Sequence, residues 1–568
     1  RHISRIRIDP NDHNIVYAAV MGNLFADDME RGVYKSTDGG ETFTQISNAT
    51  LPNGLHILEV VAHPLNTDMV YALSGAGRFA EGPAQAYRST DGGESWTLLT
   101  PSADEVMHLA LDGNNLYLTT FLPSTIDDEC VFGNKGNFYK STDSGTTWEE
   151  DISDKTGIIF IDFSEPNTIR LIDPRCPFYW LTDSGTWTST DAGITWTRTG
   201  DPADWTTGYQ DTNAPQWSYG ESENGLSKTL GGSKAYPNSI FWTNIQWAFG
   251  SLDGGNTFNH LHTKAVGDGW QSTGFDNVVM VDIEANESNP DELYIGYADI
   301  GLWRSTDGGE SWQASNPVDY TGSWQGFGGN CFSILTDPDV PGKVWASLRG
   351  DTNEPVSLIY STQSGELNSW TEVGNGIPDT ALNIFGLSLD INSDSNNRTL
   401  FATADGDVYR STNNGQNWSL VLTNGALYFT EVDQQNGQII YAGGAAGLYQ
   451  SIDGGNNWTQ IFNPTISPNA ETNFPFSTFY SGISSIVADP EIEGKVYFTF
   501  YGGASDSGGL YVWENNNITS LYANDYMRCV AINSGNPSQM YAGSSYAFFQ
   551  GFYHENSEGV LYSEDSGN

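Results

Sequence analysis

Tyr34-Lys35-Ser36-Thr37-Asp38-Gly39-Gly40-Glu41-Thr42-Phe43 returns, with small changes, along the whole chain. The core of it, STDGGETF, reads STDGGESW at Ser89–Trp96, STDSGTTW at Ser141–Trp148, STDAGITW at Ser189–Trp196 and SLDGGNTF at Ser251–Phe258. It continues as STDGGESW at Ser305–Trp312, STNNGQNW at Ser411–Trp418 and SIDGGNNW at Ser451–Trp458. An altered copy, STQSGELNSW, stands at Ser361–Trp370, and a cut one, SEDSG, at Ser563–Gly567. The third positions (Asp38, Asp91, Asp143, Asp191, Asp253, Asp307, Gln363, Asn413, Asp453) are spaced by 53, 52, 48, 62, 54, 56, 50 and 40 residues. The last gap, 112 residues to Asp565, holds two repeats, with an eroded box expected near Gly509-Leu510-Tyr511-Val512-Trp513. That makes eleven repeats, each long enough for the four antiparallel strands of a propeller blade.

Each repeat supports this from its own residues. Ahead of the box come a turn and an apolar strand, as in Ile8–Val20, Val61–Leu73, Ala285–Tyr297 and Val487–Phe500, with Pro, Asn, Asp and Gly making the turn. The box reads as a tight turn between the last two strands of a blade. Its Ser and Asp side chains satisfy turn amides, its glycines take positive φ, and its final aromatic packs between blades. No stretch keeps a helical apolar period, so the expected class is all-β.

The boxes resemble those of the Asp-box, or BNR-repeat, propellers: sialidases, the xyloglucanase family of glycoside hydrolases and, more distantly, sortilin-type receptors. In these proteins the box usually lies on the rim, which implies a structural role for its Asp. Two architectures are compatible with the repeats: two tandem seven-bladed propellers, both incomplete here, or one ten-bladed wheel. The two-lobe reading is preferred, with lobes at 1–269 and 270–568. The widest single-repeat spacing and a xyloglucanase-like segment, Gly267–Arg304, coincide near that boundary.

Within that segment Ala298-Asp299-Ile300-Gly301-Leu302-Trp303-Arg304 resembles the G-D-I-G-G-F-R motif of the xyloglucanase family. The resemblance implies that Asp299 is one of two catalytic carboxylates of an inverting hydrolase. Such an enzyme needs one carboxyl to protonate the leaving oxygen and a second to activate water. The family's other motif, D-I-G-G-A-Y-R, has no clear counterpart: the corresponding positions read Met21-Gly22-Asn23-Leu24-Phe25-Ala26-Asp27-Asp28 and Ser74-Gly75-Ala76-Gly77-Arg78-Phe79. A competing reading makes Asp299 a strand terminator, as Asp405 could be in Thr403–Arg410.

Aromatic usage points the same way as the motif. Trp205, Trp217, Trp242, Trp247 and Trp270 crowd the stretch between the fourth and sixth boxes, and Trp324 follows Asp299 closely. Trp205, Trp217, Trp242, Trp270 and Trp324 are therefore the candidate sugar-stacking residues. The expected partner is a polysaccharide or cell-surface glycan. The second reading is a non-catalytic adhesin or scaffold that binds glycan or peptide, with a protein as partner.

Lys and Arg number 23 against 70 Asp and Glu, a net charge of −47, which opposes nucleic acid and anionic lipid and reads as a solvated acidic surface. No apolar run approaches the roughly 18 residues of a membrane span. The expected setting is secreted or cell-surface, in a bacterium. The chain opens inside a blade and stops inside a box, so it is expected to be a segment of something longer. Of four cysteines, Cys130 and Cys176 could bridge, leaving Cys331 and Cys529, though four cysteines allow three pairings and free thiols serve equally well. His260 and His262 share a strand face without a third zinc ligand at a recognisable spacing. Asp390–Asn396 alternates oxygen side chains as a calcium loop does, but Phe401 stands where the closing acid belongs. The cofactor expectation is none, with calcium the single alternative. Neither a G-x-S-x-G elbow nor a phosphate-cradling glycine loop occurs.

Overall fold

The computed structural model describes the chain apart from residues 1, 23–28, 48–49, 52–53, 76–83, 100–104, 122–135, 152–154, 156, 163–164, 166, 174–184, 202–228, 234–235, 244–247, 275–279, 298–299, 318–329, 350–356, 465–481, 503–507, 545–557 and 568. The described residues are all-β, and their strands form successive antiparallel meanders, the blades of a β-propeller fold.

The chain divides into two compact units, mainly 1–265 and 278–548. The first holds five four-stranded blades: β1–β4 (His2–Gln45), β5–β8 (Ile57–Leu98), β9–β12 (Glu105–Asp151), β13–β16 (Ile158–Gly200) and β17–β20 (Thr229–His260). A hairpin follows, β21 (Thr263–Val266) and β22 (Gly269–Ser272). The second unit holds β23–β26 (Met280–Ala314), β27–β30 (Asn330–Glu372), β31–β34 (Ile384–Leu422), β35–β38 (Leu427–Phe462), β39–β42 (Gly482–Ala523) and a three-stranded blade, β43–β45 (Met527–Ser563). Here the inner strands β23, β27, β31, β35, β39 and β43 pack each on the next.

The core lies between blades. Tyr17, Ala19 and Val33 of the first blade close on Ile57, Val60, Val70 and Ala72 of the second, with Trp96 from the second box completing the cluster. Burying each large side chain of this kind is worth about 1.5–3 kcal/mol, so the stacking of repeats, rather than any single sheet, supplies the stability. Among the described residues of the first strand of each unit, Ile6, Ile8 and Ile283 are more than half exposed (56%, 58% and 54%).

The box turn forms as its residues require. Ser89 Oγ donates to Asp91 Oδ1 at 2.7 Å and accepts Gly93 N at 2.8 Å, while Asp91 Oδ1 accepts Ser95 N at 2.9 Å. Trp96 Nε1 donates to Gly93 O, and Trp418 Nε1 reaches back to Val373 O of the preceding blade. Phe43 departs from this: in the first blade it has no preceding blade to pack on among the described residues, and it is exposed.

Two boxes need correction. In the altered copy the backbone register pairs Thr362, not Ser361, opposite Val344, and Thr362 Oγ1 accepts Ser364 N and Gly365 N. The third position of that box is therefore Ser364 rather than Gln363. At 509–513 there is no box: β41 (Gly509–Glu514) runs through these residues and turns into β42 at Asn515-Asn516, both with positive φ (52° and 61°). A two-residue turn of left-handed asparagines does the same job with fewer residues.

Candidate functional site

The meander separates two kinds of connection. Turns between first and second strands share an end of the blade with the boxes, because the box backbone bonds to them: Gly39 N to Asn14 O, Gly92 N to Asp68 O, Gly308 N to Asp291 O and Gly454 N to Gln438 O. The connections between second and third strands belong to the opposite end. Box aspartates are occupied in these turns. Hydrogen bonds from Ser95, its amide and Ser89 hold the Asp91 carboxyl down at about 2, and Ser311 and Ser305 do the same for Asp307.

Asp299 falls in a connection of the second kind, between β24 (Leu293–Tyr297) and β25 (Gly301–Ser305), in the first blade of the second unit. Ala298 and Asp299 themselves lie outside the described residues, but the motif around them does not. Trp303 Nε1 donates to Ile300 O at 3.1 Å. Gly301 has φ +72°, and a Cβ there would stand 2.3 Å from Asn316 Oδ1, so only glycine fits. The buried Asn316 accepts Leu302 N at 2.8 Å through that oxygen. Arg304 pairs with Glu292 at 2.8 Å, and Tyr294 OH donates to the same carboxyl. Thus Ile-Gly-x-Trp-Arg fastens the connection to its own sheet. The comparable Asp405 has a turn role: its carboxylate accepts Leu382 N and Asn383 N at 3.0 Å each.

Of the tryptophans singled out, Trp205, Trp217, Trp247 and Trp324 lie outside the described residues. Trp242 is in β18 (Tyr236–Thr243), backbone-paired with Phe249. Trp270 exchanges backbone hydrogen bonds with Trp312, N to O at 2.9 and 2.8 Å. Since Trp312 closes the sixth box, Trp270 stands at the box turn, a strand's length from Gly301.

The metal-like patterns resolve into packing and turns. His262 is fully buried, edge-on to Phe249 at 5.8 Å and to His260 at 5.6 Å. Asp390 accepts Asn392 N at 3.0 Å and Asp394 accepts Asn396 N at 3.0 Å, so these oxygens cap turns. Among the described residues no three His, Cys, Asp or Glu converge as metal ligands. Cys331 is buried and Cys529 exposed, both free; Cys130 and Cys176 lie outside the described residues.

One group of acidic side chains escapes a reading of the sequence. Asp282 and Glu284 on β23 (Met280–Ala285), and Glu431 on β35, bind backbone amides of the following blade. Their signal is acid at alternate places in an otherwise apolar strand, VVMVDIEA.

Comparison with known proteins agrees with this fold. Residues 345–567 match the DUF6242 beta propeller domain. A xyloglucanase from a Paenibacillus species is 26% identical over 222 residues, 34% of this chain and 20% of that protein. The GH74 xyloglucanase of Xanthomonas campestris superposes over 99% of this chain and 76% of its own, with TM-score 0.64 and 17% identity. The Niastella koreensis GH74 enzyme covers 99% and 82% at 16% identity, with TM-score 0.47. The chain is a β-propeller protein that resembles the xyloglucanase family, and its match spans one fifth of the length of the curated relative. Among the described residues no helix is long and apolar enough to cross a membrane.

Proposed function

We propose that the chain is the propeller portion of a xyloglucanase-like glycoside hydrolase, secreted or held at a bacterial cell surface and acting on a β-glucan. Asp299 would be one of two carboxylates of an inverting mechanism. One carboxyl donates its proton to the leaving glycosidic oxygen as that bond breaks, while the other takes a proton from the water that attacks the anomeric carbon. The observation that carries this reading is the motif Ala298–Arg304, whose described residues, Ile300 to Arg304, are fastened to their own sheet.

The two-lobe division, 1–269 and 270–568, each lobe a seven-bladed propeller incomplete in this chain, is part of the proposal. The bare apolar faces of β1 and β23 support it. Trp205, Trp217, Trp242, Trp270 and Trp324 remain the proposed sugar-stacking residues. A second reading, a non-catalytic glycan- or peptide-binding scaffold, is favoured by one fact: the β2–β3 connection of the first blade, from Asn23 to Arg31, carries no counterpart of the Asp299 motif. The purified chain, incubated with a panel of soluble polysaccharides, should generate new reducing ends that vanish in Asp299→Ala. Binding without cleavage would establish the scaffold instead.

A further inference from the structure

In two blades a glutamine on the outer strand crosses to a carbonyl just ahead of the third strand. Gln45, paired with Tyr34, donates from Nε2 to Arg31 O at 2.8 Å and to Met29 O at 3.3 Å. Gln460, paired with Tyr449, donates in the same way to Ala446 O at 2.8 Å. In the blade β27–β30 the residue paired with Tyr360 is Glu372, and an ionised carboxylate has no hydrogen to give a carbonyl. The first blade also fills this region with the buried Arg31, whose Nη1 donates to Gly54 O. Three residues ahead of the tyrosine, where Arg31 stands in the first blade, β29 has the small Ser357.

Ser357 lines the cavity that results. It holds about 250 Å³, the share of about eight waters, which is room for one sugar ring and too little for a chain. Its polar lining is Glu372, Asp379, Asn375 and Gln416, and its apolar lining includes the buried Ile359, Ile377 and Ile384. The segment from β30 to β31 that closes one side is fixed by backbone bonds: Val373 N to Ile359 O at 2.8 Å, Ser357 N to Ala381 O at 2.7 Å and Trp418 N to Asn375 O at 2.7 Å. The cavity is therefore preformed, and a ligand need not order it. Among the described residues Glu372, Asp379 and Gln416 make no side-chain hydrogen bond, and no Lys or Arg lines the site.

We propose that this cavity binds a single neutral sugar ring of a glycan, at a site that shares no residue with the Asp299 motif. Its two carboxylates only accept hydrogen bonds, whereas its two carboxamides both donate and accept. Neighbouring hydroxyls of one sugar answer both kinds. An ammonium or guanidinium group would suit the acids and leave the amide donors unmet, and an anion is repelled by Glu372 and Asp379. The isoleucines suit the C–H face of a pyranose. The site would give the chain a second point of attachment to a glycan, whether or not the chain cleaves one.

Glucose, xylose and galactose, each titrated into the intact chain and followed by saturation-transfer NMR, test this without an activity assay. At least one should bind, in the millimolar range expected of a single ring. In Glu372→Gln the new amide should reach Ser357 O as Gln45 reaches Arg31 O, fill the cavity, and weaken binding by about tenfold or more at an unchanged or raised melting temperature. Gln416→Ala, on the exposed rim, should weaken it several-fold. Asp299→Ala should bind that sugar as the wild type does. The proposal is overturned if none of the three sugars binds, if methylguanidinium alone occupies the site, or if binding survives Glu372→Gln and Gln416→Ala. It is overturned equally if Asp299→Ala, and neither of those two, abolishes binding.

Discussion

The first blades of the two units use the same backbone address for opposite chemistry. Each inner strand carries a bulge, between Ile3 and Arg5 in β1 and between Met280 and Asp282 in β23, and the residues after it point at the next blade. In the first unit these are Arg5 and Arg7, both 2.8 Å from Glu59 of β5. In the second they are Asp282 and Glu284, which among the described residues accept amides and a hydroxyl. A blade seam needs polar partners at this point because the strand edge offers unpaired amides, yet their charge is free to vary. The two seams should therefore answer differently to the same substitution.

The largest expected contrast is functional. Asp299→Ala in the first blade of the second unit should reduce polysaccharide cleavage by about a hundredfold or more at an unchanged melting temperature, since an acid–base group typically contributes that much. An equal loss with an early melting transition would mean that Asp299 serves the sheet.

Next comes the buried hub at another seam of the second unit. Arg398 is fully buried and binds Asp337 through two bonds, at 2.9 and 2.8 Å, and the carbonyls of Ile391 and Ser393. Arg398→Ala should cost about 3–5 kcal/mol, because the buried Asp337 loses both guanidinium bonds. Denaturant unfolding would show it, and a loss under about 1 kcal/mol would place the strength of that seam elsewhere.

Glu59→Gln and Glu284→Gln should then move stability in opposite directions. The first strands Arg5 and lowers stability by about 1–3 kcal/mol near neutral pH. The second keeps an acceptor for Thr336 while removing a charge the fold disfavours, so it should raise stability by on the order of 1–3 kcal/mol at pH 9 and change little at pH 4. Parallel unfolding curves at the two pH values check both, and a shared sign would erase the distinction between the seams.

The smallest effect belongs to the boxes, which the two units share. Asp91→Ala and Asp307→Ala should each lower the melting temperature by about 2–4 °C and leave glycan binding unchanged. Because hydrogen bonds hold both carboxyls at about 2, the contribution is present above the ordinary carboxylate range and fades as pH falls toward 2. A binding defect at intact stability would give the boxes a second role.

Legibility tracks distance along the chain. The candidate at Asp299 can be read because its motif is seven consecutive residues, and the structural partners of Gly301 and Trp303 lie within fifteen positions of them. Crowding makes Trp270 part of the proposed sugar platform, and its backbone bonds to Trp312 show that it lies beside a box. For Trp205, Trp217 and Trp324, which lie outside the described residues, the sequence reading stands as a proposal.

The sequence by itself determined eleven blades, their order and most of their turns, because a box closes on bonds spanning four residues, such as Ser89 to Gly93 and Asp91 to Ser95. Local bonds write themselves into local pattern. Only the tertiary structure decided that Thr362 replaces Ser361, that asparagines replace the box after Trp513, and that acids accept backbone amides at one seam where arginines bind another. Asp282 and Ile334 are 52 residues apart, and the partner is a backbone amide that every residue but proline carries. No side-chain pattern can announce such a partner; it exists only once two blades are stacked.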